Sequence, residues 1–178
     1  RLTKLVNDLH QLSMSDRGSL SYEKSQMVLR ELIERSLEKR KSELSHFDLQ
    51  FDFSPRCFLF CDAHRMGQLF DNLLQNTLRY TDVSPENKGM LDIKVSRIGQ
   101  GVQVIWQDSS PGVGSEQLSH LFDRLYRTDS ARNRKTGGSG LGLAICQNII
   151  MAHNGEVHAE QSTLGGLKLT IEFKYKEN

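Results

Sequence analysis

The chain has 178 residues, 37% of them apolar and 25% charged, the balance of a soluble unit with one core. A formal charge of +1 leaves no global electrostatic footprint for nucleic acid, so no nucleic-acid partner is expected. A mean hydropathy of -0.49 and the lack of an apolar run of about 18 residues exclude a membrane span within these residues. Cys57, Cys61 and Cys146 lack the paired spacing of a zinc site and read as small buried hydrophobes in a reducing compartment. The first residue is Arg1, with neither Met nor a signal-like leader, so a piece of a longer protein is expected.

Residues 1–16 open with Leu2, Leu5, Leu9 and Leu12 spaced three, four and three. This short apolar seam predicts the tail of a coiled-coil or bundle helix, or an amphipathic helix folded onto the domain. Asp16-Arg17-Gly18-Ser19 breaks the pattern as a linker, and 17–178 form the main domain. A second helix is predicted from Val28 to Leu44, followed by strands at Phe47–Phe53 and Cys57–Cys61. A strong helix follows from Ala63 to Tyr80, then a polar loop from Asp82 to Gly89. Leu91–Ile98 and Val102–Gln107 form a hairpin turned at Gly99-Gln100-Gly101.

The long polar stretch from Asp108 to Gly138 predicts a lid or binding loop. Ser139 or Gly138 then opens an apolar helix reaching His153. Two last strands, Glu156–Gln161 and Leu167–Tyr175, join through Gly165-Gly166. The expected class is α+β, a two-layer sandwich with helices on one face of a mixed sheet.

Four stretches carry chemistry. In DNLLQNTLRYT, Asn72 and Asn76 share one helical face, with Arg79 and Tyr80 a turn on. An Asn oxygen can ligate Mg²⁺ without adding negative charge beside a polyphosphate; two solvated amides would look the same. In QDSSPGVG, Asp108 ends a strand ahead of Gly112 and Gly114. It can accept from the amine of a base whose flat ring the glycines let approach, or it can simply close a turn.

KTGGSGLGLAI places glycines where a helix opens, a backbone site for phosphate. Gly142 precedes Leu143 rather than Lys, so this is not a Walker A loop. Leu143 stands where a dinucleotide fingerprint needs its third Gly. Between these, Phe122 to Lys135 carries a local excess of three positive charges. That is either solvated surface or a lid over a polyanion.

In this order and spacing the elements resemble the catalytic, ATP-binding domain of sensor histidine kinases, in the superfamily of gyrase B, Hsp90 and MutL. The matching motifs are an N box (Asn72 to Thr81), a first glycine box (Asp108 to Gly114), a phenylalanine-box region (Phe122 to Arg127) and a second glycine box (Gly138 to Leu143). Residues 1–16 are similar to the end of the second dimerisation helix.

The resemblance implies a Bergerat-type sandwich binding ATP and Mg²⁺. Asn76 would hold Mg²⁺ and Asn72 would lie beside the phosphates. Arg79 would reach a phosphate, Tyr80 would flank the nucleoside, and Asp108 would read the adenine amine between Gly112 and Gly114. Gly138, Gly140, Gly142 and Leu143 would present backbone N–H groups to the phosphates. Arg127 and one of Arg132, Arg134 or Lys135 would be lid contacts to the γ-phosphate.

Two positions depart from the family pattern: Ser110 stands where Gly is usual and Leu125 where Phe is usual. The expectation is that Ser110 is tolerated and that Leu125 still packs. Asn72 replaces the Glu that serves the ATPase branches as general base, so hydrolysis by water should be poor. None of His10, His46, His64, His120, His153 and His158 sits in a phosphoacceptor context, and His64 and His120 read as surface residues.

The implied activity is transfer of the γ-phosphoryl to a histidine on the dimerisation domain of the same protein, catalysed by no side chain of this chain acting as acceptor. The phosphoryl would then pass to an OmpR-type response regulator. The parent would be a homodimer in a bacterial inner membrane, with this part on the cytoplasmic side. The competing readings are a superfamily ATPase, marked by phosphate release, and a degenerate module acting by protein contacts.

Overall fold

The computed structural model describes residues 2–16, 20–127 and 138–175. In chain order the elements are α1 (Leu2–Asp16), β1 (Lys24–Val28), α2 (Leu29–Lys39), α3 (Lys41–Leu44), β2 (Phe47–Phe53), β3 (Phe58–Asp62) and α4 (Ala63–Tyr80). They continue with β4 (Gly89–Ile98), β5 (Gly101–Asp108), α5 (Ser115–Leu118), α6 (Gly142–Ala152), β6 (Gly155–Gln161) and β7 (Leu167–Lys174).

Five strands form a mixed sheet in the order β2-β4-β5-β7-β6. β2 runs parallel to β4, and the remaining pairs are antiparallel. Alternation along the strands decides which face is covered. Leu91, Ile93 and Val95 of β4, Val102, Val104 and Trp106 of β5, and Leu169, Ile171 and Phe173 of β7 are buried in one core. The intervening Lys94, Gln103, Gln107, Lys168 and Glu172 point to the opposite, polar face.

Three helices close the covered face. On α4 the buried stripe Met66, Leu69, Phe70, Leu73, Leu74 and Thr77 has helical spacing, and the Asp62 side chain caps its start by accepting from Arg65 N–H at 3.0 Å. On α6 the stripe is Ala144, Ile145, Cys146, Ile149 and Ile150, and α6 packs against α4. Leu29, Leu32, Ile33 and Leu37 bring α2 to the other flank of α4. α1 lies against α6 and contributes Leu12, 2% exposed, to the same core. The two-layer α+β reading therefore describes the molecule.

Two elements differ from the sequence reading. The helix predicted over Val28–Leu44 is divided at Arg40, whose φ of -118° and ψ of 19° are not helical. β1 was not anticipated; it pairs antiparallel with β3 in a separate two-stranded sheet. Cys57, Cys61 and Cys146 are buried and free as expected, and burial pushes the thiols of Cys61 and Cys146 up to about 12.

One histidine joins these layers. His153 Nδ1 lies 2.7 Å from the Ile149 carbonyl, and its Nε2 accepts from Asp62 N–H at 3.1 Å. That pair of contacts fixes the neutral tautomer with the proton on Nδ1. The Tyr22 ring meets it edge-on at 5.4 Å. Burial lowers its pKa; Lys24 adds to this, and the Ile149 carbonyl and Asp62 oppose it.

A histidine held neutral in the fold lets the unfolded chain take up more protons below its ordinary pKa of about 6.5, so stability falls as pH drops below that value. Urea melts at pH 7.5 and 5.5 should show this loss. His153→Gln, whose amide oxygen can still accept from Asp62 N–H, should be less stable at pH 7.5 and show a flatter dependence over the same window.

Candidate functional site

The C-terminal half of α4, the end of β5 and the start of α6 bring most of the predicted residues together. Asp108, the last residue of β5, is only 5% exposed. Its Oδ1 accepts from Ser110 Oγ at 2.6 Å, Ser110 N–H at 3.2 Å and Leu167 N–H at 3.2 Å. Its Oδ2 accepts from Thr77 Oγ1 at 2.7 Å, and Thr77 Oγ1 accepts from Trp106 Nε1 at 3.1 Å. A buried carboxylate needs such donors to offset its lost hydration. Ser110 therefore does more than fit the turn, because its hydroxyl and its N–H both hold Asp108.

Asn72 and Asn76 are half-buried on α4. Asn72 lies beside the Cys146 thiol of α6 and favours its ionised form, while burial dominates and raises the thiol. The Cys146 sulfur donates to Leu69 O at 3.8 Å, so the thiol also ties α6 to α4. Asn72 Nδ2 is itself buried, and the polar group beside it is the Cys146 thiol of α6.

Arg79 and Tyr80 end α4 and come up against Gly138. A Cβ there would strike Arg79 Nη1 and stand 3.8 Å from the Tyr80 hydroxyl. The second glycine box is thereby placed on the last turn of α4. Gly140 has a φ of +72°, and a Cβ on it would sit 2.8 Å from the Leu125 carbonyl carbon and 2.9 Å from Tyr126 O.

This left-handed residue explains why the helix opens at Gly142 and not at Gly138 or Ser139. Among the described residues no side chain caps α6, and no acidic residue occupies its first turn. An 11-residue helix ending this way presents backbone N–H groups and positive dipole to an anion. Gly142 is its first residue, and Leu143 packs partly against the core.

The remaining predicted residues flank this centre. Gly112 abuts the Gly165 carbonyl, 3.1 Å from where its Cβ would stand. Gly114 precedes α5, its N–H donating to Gln117 Oε1 at 3.2 Å. Arg127 is half-buried at the end of the phenylalanine-box region. Lys135, with Arg132 and Arg134, lies outside the described residues. His64 and His120 are exposed, as expected of surface histidines.

Leu125 corrects an expectation: it does not pack. It is 57% exposed with a φ of +62°, and its N–H donates to Gly140 O at 2.9 Å. That backbone bond to the glycine box fixes a left-handed turn that carries the side chain away from the core. The residues that sequence reasoning missed are Thr77 and Trp106. Thr77 was legible as the polar residue on the buried stripe of α4; nothing in the sequence tied Trp106 to it.

The family model for histidine kinase-, DNA gyrase B-, and HSP90-like ATPases matches residues 61–177, and the chain belongs to this family. Signal transduction histidine-protein kinase BaeS of Escherichia coli (strain K12) is 47% identical over 173 residues, 96% of this chain and 36% of the relative. The chain thus spans little more than a third of that relative's length. Acinetobacter baumannii histidine kinase AdeS matches with a TM-score of 0.80 at 22% identity, covering 99% of this chain and 79% of that one. Full-length ShkA in complex with AMPPNP matches with a TM-score of 0.81 at 22% identity, covering 99% and 37%. These two likenesses show the fold, and the chain carries the ATPase-type domain that sensor histidine kinases share.

The two glycines predict opposite outcomes. Gly140→Ala should cost about 1–3 kcal/mol, because it forces a side chain into a left-handed turn closed by Leu125 and Tyr126. Gly142→Ala, with open space around its Cβ at a helical position, should change stability by less than about 1 kcal/mol. Urea unfolding followed by the fluorescence of the single tryptophan compares them.

Proposed function

We propose that this chain is the ATP-binding half of a two-component sensor histidine kinase. It would hold ATP with its base at Asp108 and its phosphates at the opening of α6, and present the γ-phosphoryl to a histidine on the dimerisation domain of the same protein. The observation that carries the reading is the pairing of a buried acceptor, Asp108, with an uncapped helix start at Gly142. One end suits an amine-bearing base and the other suits phosphates.

Each named residue then has a positional task. Gly112 and Gly114 border the base, and Tyr80 flanks the nucleoside. Arg79, Arg127 and Lys135 supply charge to the phosphates. Gly138, Gly140, Gly142 and Leu143 supply backbone N–H groups, and Asn72 lies beside the phosphates without adding charge. Phosphoryl transfer relies on positioning and charge neutralisation, so an inventory of amides, arginines and glycines suffices without a nucleophile.

The described residues hold no cluster of three His, Cys, Asp or Glu side chains that could cage a metal. Mg²⁺ fits this donor set as a companion of the nucleotide, through the Asn76 amide oxygen with phosphate oxygens and water. When bound it neutralises phosphate charge.

Asn72 cannot take a proton from water at neutral pH, which disfavours hydrolysis and favours holding the phosphoryl for another acceptor. By similarity to BaeS that acceptor would pass it to a response regulator, OmpR-type and BaeR-like. Residues 1–16 would be the end of the second dimerisation helix, residues 17–178 the catalytic domain, and the parent an inner-membrane homodimer with this part in the cytoplasm. No helix among the described residues is long and apolar enough to cross a membrane.

Calorimetric titration with ATP tests the reading. One saturable site, strengthened by Mg²⁺, is expected, with phosphate release near background and no stable label on the chain after incubation with γ-labelled ATP. Label should appear on a separately made dimerisation domain. Asp108→Asn should weaken ATP about tenfold or more, the scale of one hydrogen bond to a charged group. No binding at millimolar ATP, or appreciable phosphate release, would overturn it.

A further inference from the structure

Trp106, Thr77 and Asp108 form a directed chain of hydrogen bonds inside the core. The three residues are 2%, 1% and 5% exposed. An indole N–H can only donate, so Thr77 Oγ1 must accept from Trp106 at 3.1 Å, and the one hydroxyl proton is given to Asp108 Oδ2 at 2.7 Å. Three donors already crowd Asp108 Oδ1: Ser110 Oγ, Ser110 N–H and Leu167 N–H. Oδ2 receives only Thr77, so the acceptor capacity left to the carboxylate lies on that oxygen.

We infer that Thr77, locked by Trp106, is the positioning residue that sets base specificity at this site. It holds the Asp108 carboxylate so that Oδ2 offers an acceptor, and only an acceptor, to the bound ring. A ring with an amine at that position is selected, and one with a carbonyl there meets oxygen facing oxygen. The inference rests on the nucleotide reading above and adds to it the two residues that make Asp108 directional. Neither reaches the ligand. Thr77 acts through Asp108, and Trp106 acts through Thr77.

A structural role alone would predict that losing the Thr77 hydroxyl weakens all nucleotides alike. Positioning predicts a change in their ratio. The intact chain is titrated by calorimetry with ATP, with ITP (carbonyl in place of the amine) and with purine riboside triphosphate, which carries neither. The wild type should prefer ATP to both.

Thr77→Val keeps the shape and removes the hydroxyl. It should lower ATP affinity about tenfold, leave ITP nearly unchanged and so narrow the ratio about tenfold, while Thr77→Ser restores it. Trp106→Phe keeps an aromatic ring and frees the hydroxyl to rotate; it should narrow the ratio in the same direction by a smaller factor, and it carries the test if Thr77→Val does not fold. A wild-type ATP-to-ITP ratio retained in the folded variants overturns the inference and leaves the nucleotide reading standing. A wild type that binds ATP and ITP equally overturns the inference as well, and one that binds none of the three at millimolar concentration overturns both.

Discussion

The buried carboxylate of Asp108 is the constraint around which the rest of the molecule is arranged. A charged group 5% exposed needs donors on every side, and they come from three places in the chain. Thr77 arrives on α4, Ser110 on the turn that follows β5, and the Leu167 N–H at the start of β7. Satisfying one side chain therefore fixes the register of α4 over the sheet, the path of the turn and the entry of the last strand. Gly166 leaves no choice beside it, since a Cβ there would stand 2.5 Å from Asp108 Oδ1. Fold and proposed site share the same hydrogen bonds, and one cannot be altered without the other.

The opposite end of the site is built from backbone. α4 and α6 pack through apolar stripes, with Cys146 bonded to the Leu69 carbonyl where they meet. This pairing sets the last turn of α4, with Arg79 and Tyr80, against Gly138. The left-handed Gly140 then turns the chain into an uncapped helix start, and its carbonyl accepts from Leu125 N–H, which ties Leu125 to the glycine box. The arrangement puts donors and positive dipole at one end and an acceptor carboxylate at the other. Its polarity matches a ligand with an amine at one end and phosphates at the other.

Legibility in the sequence followed from whether the signal was local. The limits of α4 could be read because Asp62 caps it and a helical apolar stripe fills it, and the β4–β5 hairpin could be read from alternation around Gly99 and Gly101. β1 could not: KSQMV has no clean alternation, and its partner β3 lies beyond two helices and another strand. The break at Arg40 was hidden because Arg and Lys are good helix formers. Leu125 misled for a related reason. Its place in the phenylalanine-box region implied packing, but the Gly140 carbonyl accepts its N–H and turns it left-handed, a tertiary effect with no local trace. At the site, the four motifs brought nearly every proposed residue into view. Thr77 escaped because it lies on the buried stripe of α4, one face over from the amides, where a polar residue carries no motif of its own.

The choice of amides over carboxylates on α4 follows from the same electrostatics. A Glu at the position of Asn72 would supply a base for water, but it would also set a negative charge beside the opening of α6, which is suited to anions. It would further lie against the buried Cys146 thiol, already pushed up to about 12 by desolvation, and would add the cost of burying a second acid there. An amide keeps that end free of negative charge and sits beside the thiol without a second acid. With no proton acceptor beside the phosphates, water gains no catalyst. In the proposed reading, the terminal phosphoryl is then held stable until a nucleophile from another domain reaches it.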